Sequence, residues 1–107
     1  MKVDSGRTLF DVTDELLEAL APLEFSPPVA HVYNPLLYAR PLWDSFLERW
    51  GSGPREVVLF GMNPGPWGMV QTGIPFGEVA AVRDWLALGR IGALRSTQCA
   101  VAGARTF

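Results

Sequence analysis

The sequence predicts an α/β domain, and three observations carry that expectation. Residues 56–61, Glu-Val-Val-Leu-Phe-Gly, hold four consecutive apolar side chains, two of them β-branched. Such a run suits a strand buried on both faces, as in a parallel sheet. It passes directly into a segment, 61–77, in which 5 Gly and 3 Pro fill 17 positions. Residues 78–88 then return to helical spacing, with Val79, Val82, Trp85 and Leu86 on one face. Strand, glycine-rich loop and helix form the unit that, in open α/β folds, sets a ligand beyond the carboxyl end of a strand.

The remaining elements are taken in chain order. Residues 8–23 read as a helix, because Leu9, Val12, Leu16, Leu20 and Leu23 recur at three- and four-residue spacing while Asp11, Asp14, Glu15 and Glu18 take the other face. Pro22 marks its end. Ser26-Pro27-Pro28 breaks the chain, and the apolar run 29–33 suits a strand or extended segment. Asn34-Pro35 is a turn signal, since the residue before proline is pushed out of the helical region. Residues 42–50 read as a second helix, closed by Gly51-Ser52-Gly53-Pro54. Trp43, Trp50 and Trp85 sit at core-like spacing and are expected to pack. No periodicity organises residues 89–107.

Composition bounds the function. The 107 residues suffice for a single small domain, and 49% hydrophobic with 19% charged residues is a globular balance. No apolar run approaches the roughly 20 residues of a membrane helix. Met1-Lys2-Val3-Asp4-Ser5 has no apolar stretch behind it, so a signal peptide is not expected. The lone Cys99 can neither close an internal disulfide nor hold a zinc by itself, and it is expected to be a passive thiol in a reducing, intracellular compartment. Net charge is -2; residues 1–54 are net -4 and residues 55–107 net +2, which is compatible with phosphate contacts from the second half but does not establish them.

The loop carries the chemistry. It reads Gly61-Met62-Asn63-Pro64-Gly65-Pro66-Trp67-Gly68-Met69-Val70-Gln71-Thr72-Gly73-Ile74-Pro75-Phe76-Gly77-Glu78. Glycines let backbone N–H groups approach a ligand, and prolines stiffen the path between them. A phosphate-gripping loop would need Gly-Lys-Ser/Thr, and a dinucleotide fingerprint would need Gly-x-Gly-x-x-Gly; neither is present. No nucleophile lies beside a base, and the lone His31, distant in sequence, reads as structural. A neutral amide, Asn63, and an aromatic ring, Phe76, stand out.

This run resembles the first active-site motif of the single-strand-selective monofunctional uracil-DNA glycosylases: Gly-Met-Asn-Pro-Gly-Pro, an aromatic residue, Gly-Met, then Gln-Thr-Gly-x-Pro-Phe-Gly-Glu-Val. Tyr33-Asn34-Pro35 with Tyr38-Ala39 resembles the family's upstream segment, and Val82-Arg83-Asp84-Trp85-Leu86 its following helix. The similarity is strongest over residues 23–86; residues 1–22 are compatible with it and 87–107 form a divergent tail. The resemblance implies the N-terminal part of a three-layer α/β/α fold with a mostly parallel sheet, truncated here, and a single partial domain over 1–107. It implies hydrolysis of the N-glycosidic bond of uracil, or of oxidised pyrimidines such as 5-hydroxymethyluracil, in DNA for base excision repair. Such a reaction passes through a sugar cation and a uracil anion, and needs a held water, donors to the uracil oxygens and a stacking surface for a flipped base. By resemblance, Asn63 positions the water, the Met62 backbone N–H donates to a uracil carbonyl, Phe76 stacks on the ring, and Gly65 leaves room at uracil C5.

Trp67 either contacts DNA or covers the pocket. Arg83 and Arg105 are candidates for phosphate contact, against a default of solvation. The implied partner is DNA, single- or double-stranded, met by a monomer with no cofactor, no metal and no membrane. The family spans bacteria and animals, which implies the cytoplasm or the nucleus accordingly. The family also uses a later Asn that reads the uracil edge, and a His in a His-Pro-Ser-Pro motif; the 107 residues contain neither, and Gly103-Ala104-Arg105 is a faint echo of the family's later Ser-Gly-x-Arg segment. The chain alone is therefore expected to be a poor or dead enzyme. The alternatives are a non-catalytic fragment with at most nucleic-acid binding and, more weakly, a half-domain for small nucleotides.

Overall fold

A computed structural model describes residues 6–88 of the chain. The expectations placed on Cys99, on Arg105 and on the tail at 103–105 lie outside the described residues. Among the described residues, four helices and a π-helical turn make up the regular structure: α1, Leu9–Leu20; α2, Pro35–Tyr38; α3, Arg40–Trp50; α4, Met69–Thr72; and the turn Ala81–Trp85.

The capping of α1 is reciprocal. The Asp11 backbone N–H donates to the Thr8 hydroxyl at 3.2 Å, while the Asp11 carboxylate accepts from the Thr8 backbone N–H at 2.7 Å. Those Thr8 hydrogen bonds, backbone first and hydroxyl second, hold the Asp11 carboxyl below its ordinary value of 3.8. A carboxyl whose pKa is depressed by folding stabilises the folded state above its ordinary pKa and loses that contribution as pH falls through the lower folded value. Amide protection in α1 is therefore expected to hold from neutral pH down to 3.8 and to fall below it; an Asp11→Ala chain should lack this acid-side step in hydrogen exchange.

Two polar pins dock α1 onto α3. The Trp43 indole N–H donates to the Thr13 hydroxyl at 2.8 Å, and Arg40 reaches both Asp14 (2.7 Å) and Asp44 (2.6 Å). Thr13 is the buried residue of α1. The stripe from Leu9 to Leu20 that marks the helix in the sequence stays 37–48% exposed. Trp43 stacks on Phe46, with ring centroids 5.8 Å apart, and Phe46 in turn meets Trp50. The core is small: Ala39, Leu42, Ile74, Val82 and Leu88 form it, with Tyr38, Phe46 and Leu86 packed against it. Arg49 donates to the carbonyls of Leu86 (3.2 Å) and Ala87 (3.1 Å), tying α3 to the residues just after the π turn.

The α/β expectation is overturned. Among the described residues there is no strand, hence no parallel sheet and no α/β/α layering; the regular structure is helical. A strand exists as a member of a hydrogen-bonded ladder, and an apolar run does not contain its own partner. Val57, Val58, Leu59 and Phe60 are 74–94% exposed, the opposite of a strand buried on both faces. Residues 29–33, the other strand candidate, likewise carry no regular structure. Asn34-Pro35, read as a turn, opens α2 instead, with Pro35 at a helical N-terminus where its missing N–H costs nothing.

The expected helix over 78–88 also differs. It begins with ordinary geometry, Val82 N–H donating to Glu78 C=O at 2.9 Å, then widens so that Leu86 N–H donates to Ala81 C=O at 2.8 Å. That i→i+5 bond defines a π turn, which inserts one residue and rotates the positions after it about the helix axis. Val82 is fully buried, whereas Trp85, three residues on and expected in the core, is 83% exposed.

Candidate functional site

The glycine-rich segment folds into two arms joined by α4. Residues 59–68 make the first arm and 73–78 the second; between them Met69–Thr72 forms one helical turn closed by a left-handed residue, Gly73, at φ +72°. The turn is held against α2, where the Tyr38 hydroxyl donates to the Val70 carbonyl. Burial raises the Tyr38 hydroxyl to about 12, with nearby Tyr33 contributing, so it remains a donor throughout the physiological range.

Between the arms lies a cavity of about 590 Å³. Met62, Asn63, Gly65, Trp67 and Phe76, singled out from the sequence as site residues, all line it. Arg83 does not: it stands on the π turn, where its guanidinium makes two contacts with Asp84, at 2.7 and 2.8 Å. Its guanidinium is raised by the Asp84 hydrogen bond and charge. The Asn63 amide donates to the Pro64 carbonyl at 3.2 Å, and its side chain is exposed.

Phe76 adopts φ +57°, a left-handed conformation uncommon for a residue with a side chain. Its ring lies over Gly61: a Cβ there would stand 3.3 Å from the ring's Cζ. The absence of a side chain at 61 thus lets the tip of the Phe76 ring approach bare backbone, while Phe76 remains 68% exposed. Gly65, by contrast, faces open space, with nothing within 4 Å of the position a Cβ would take. Trp67 is 52% exposed, at the border of the same cavity.

The cavity's charge is simple. Among the described residues, Glu78 is the one lining residue with an ionisable side chain, and no Lys or Arg lines the cavity. The Glu78 carboxylate accepts from the Ala81 backbone N–H at 3.1 Å, and hydrogen bonds from Ala80 and Ala81 hold its carboxyl below the usual glutamate value. It therefore caps the following turn. Among the described residues no group of three His, Cys, Asp or Glu could hold a metal ion, and no helix is long and apolar enough to cross a membrane.

Sequence reasoning assigned no role to Glu78 or Thr72, although both lie in the loop. The signal for Glu78 was its place three residues before Ala81, at the start of a helical pattern. Thr72 offered none, since its importance comes from complete burial (0% exposed).

No protein-family model matches the chain. Curated relatives do. It is 54% identical over 74 residues to the single-strand selective monofunctional uracil DNA glycosylase of Bos taurus, covering 69% of this chain and 27% of that protein. It is 53% identical over 70 residues to the proteins of the same name from Rattus norvegicus and Mus musculus, covering 65% of this chain and 25% of each. The chain thus spans about a quarter of the length of the curated relatives it matches.

Proposed function

We propose, on the premise that this chain is over about 70 residues a homologue of the single-strand-selective monofunctional uracil-DNA glycosylases, that its cavity is the base-accepting half of a uracil-DNA glycosylase site. The substrate is DNA carrying uracil or an oxidised pyrimidine such as 5-hydroxymethyluracil, and the setting is intracellular base excision repair, in cytoplasm or nucleus according to the source. In the reaction the bond from uracil N1 to deoxyribose C1′ breaks, its electron pair leaves with the base, and water oxygen bonds to C1′ while the proton it gives up neutralises the uracil anion. Asn63 positions that water, the Met62 backbone N–H donates to a uracil carbonyl as negative charge develops there, and Phe76 stacks on the base. Gly65 leaves the space in which a C5 substituent sits, and Trp67 at the cavity's border and Arg83 outside it meet the DNA strand.

The observation that carries this reading is that a neutral amide and an exposed aromatic residue share one cavity whose described walls hold no cation. A nucleotide-binding half-domain would be expected to aim a cation or a run of free N–H groups at phosphate. The 107 residues contain neither the later Asn nor the His-Pro-Ser-Pro motif. Each missing donor to a developing anion costs on the order of 100- to 1,000-fold in rate, so release by these residues is expected to be slow and is best followed in single turnover.

The test compares release of uracil and of 5-hydroxymethyluracil from single-stranded oligonucleotides, read by alkaline cleavage at the abasic site. Gly65→Ala should leave the melting temperature unchanged, because the added methyl meets nothing within 4 Å. It should lower release of 5-hydroxymethyluracil relative to uracil by about ten-fold, the low end of what one methyl group discriminates in a pocket. Equal effects on both bases would remove Gly65 from the proposed role, and binding of free nucleotides in preference to DNA would displace the reading as a whole.

A further inference from the structure

We propose that Thr72 is the positioning residue for the base-stacking face of Phe76, a role that rests on the reading of the cavity given above. Phe76 sits in a four-residue turn that the Gly77 N–H closes onto the Ile74 carbonyl at 2.8 Å. Its backbone is left-handed and its ring is 68% exposed, so burial of the ring does not hold it there. Beside that backbone bond, one side-chain hydroxyl holds both ends of the turn. Thr72 Oγ1 accepts from the Ile74 N–H at 3.2 Å and lies 2.8 Å from the Gly77 carbonyl, to which it donates; a second carbonyl, that of Gly68, stands at 3.3 Å.

Ile74 N–H and Gly77 C=O are the two ends of the segment that carries Phe76, and one buried oxygen grips both. Gly68 begins α4 on the other side, so the same hydroxyl also stands against the end of the first arm, beyond Asn63 and Gly65. The distance between the stacking ring and the residues facing it is thereby set by Thr72 rather than by Phe76 itself. Removing the oxygen frees the Gly77 carbonyl and the Ile74 N–H. The turn then relaxes to the negative φ preferred by residues with a side chain, and the ring leaves Gly61.

Two near-isosteric changes test this. Thr72→Val keeps the shape and removes the oxygen; Thr72→Ser keeps the oxygen and removes a methyl. In the NMR spectrum of the wild-type chain the Gly61 α-protons should show a ring-current shift and an NOE to the Phe76 ring. Both should vanish in Thr72→Val, with the contacts between Ile74 and Val82 retained, and both should persist in Thr72→Ser. In parallel, the preference of the chain for a uracil-bearing single strand over one with an abasic analogue should fall about ten-fold in the valine variant, within the range of one base stack, and be restored in the serine variant. Retention of the Phe76–Gly61 contact in Thr72→Val, or its equal loss in Thr72→Ser, overturns the inference. Should the valine variant not fold, the wild-type chain still decides: a Thr72 hydroxyl proton protected from exchange supports the clamp, and one exchanging as freely as in a solvated threonine overturns it. If the wild-type chain shows no preference for uracil, the glycosylase reading fails while the Phe76–Gly61 contact still judges the clamp.

Discussion

Asn63→Ala is expected to lower the single-turnover rate of uracil release from a single-stranded oligonucleotide by about 100- to 1,000-fold, the usual cost of one preorganised polar group at the reacting centre. The loss should be one of chemistry rather than of structure. The side chain is exposed, and its hydrogen bond is local, to the carbonyl of the next residue. Circular dichroism and the melting temperature should therefore be those of the wild-type chain, and binding of the uracil-bearing strand should change far less than release does. A rate unchanged by the substitution would mean that any release observed does not pass through this cavity.

Gly73→Ala is expected to destabilise the fold by about 3 kcal/mol. Two costs combine: a left-handed residue with a side chain loses roughly 1–2 kcal/mol, and forcing a methyl group into occupied space costs typically 1–3 kcal/mol. Both apply here, since φ is +72° and the new Cβ would stand 2.8 Å from the Ala39 Cβ and 3.2 Å from the Ala39 carbonyl. Ala39 is itself fully buried, between α2 and α3, and cannot retreat into solvent. In a protein with so small a core that amount is a large part of the whole stability. Urea denaturation of the variant should show it directly, with Gly65→Ala, also in the loop, within about 0.5 kcal/mol of wild type.

The contrast between these two glycines shows what the sequence could and could not convey. The clustering of the candidate site residues was legible because they lie in one run of the chain. A stiff, glycine-rich run brings Met62, Asn63, Gly65, Trp67 and Phe76 to one cavity with little help from distant parts of the chain. The helices Leu9–Leu20 and Arg40–Trp50 were legible too, from apolar spacing and from Gly51 at the end of the second. The sheet was not. Whether an apolar run becomes a strand depends on partners elsewhere, and the run at 57–60 is exposed rather than paired among the described residues. Trp85 was misplaced for a different reason: a single widened hydrogen bond, from Leu86 to Ala81, breaks the 3.6-residue period on which its place in the core was argued. Thr72 escaped notice because its role is to bond backbone groups, of which side-chain pattern carries no record; Glu78 left only its place at the start of a helical pattern.

The proposed role of the cavity between the two arms is to accept a flipped uracil base stacked on Phe76. The most direct test is the anisotropy of a labelled single-stranded oligonucleotide carrying one uracil, titrated with the chain beside the same strand with an abasic analogue at that position. The uracil strand is expected to bind about ten-fold more tightly, in the range of one aromatic–base stack, and the difference should be lost in Phe76→Ala. Equal affinity for the two strands, or a preference for uracil that survives in Phe76→Ala, would contradict it.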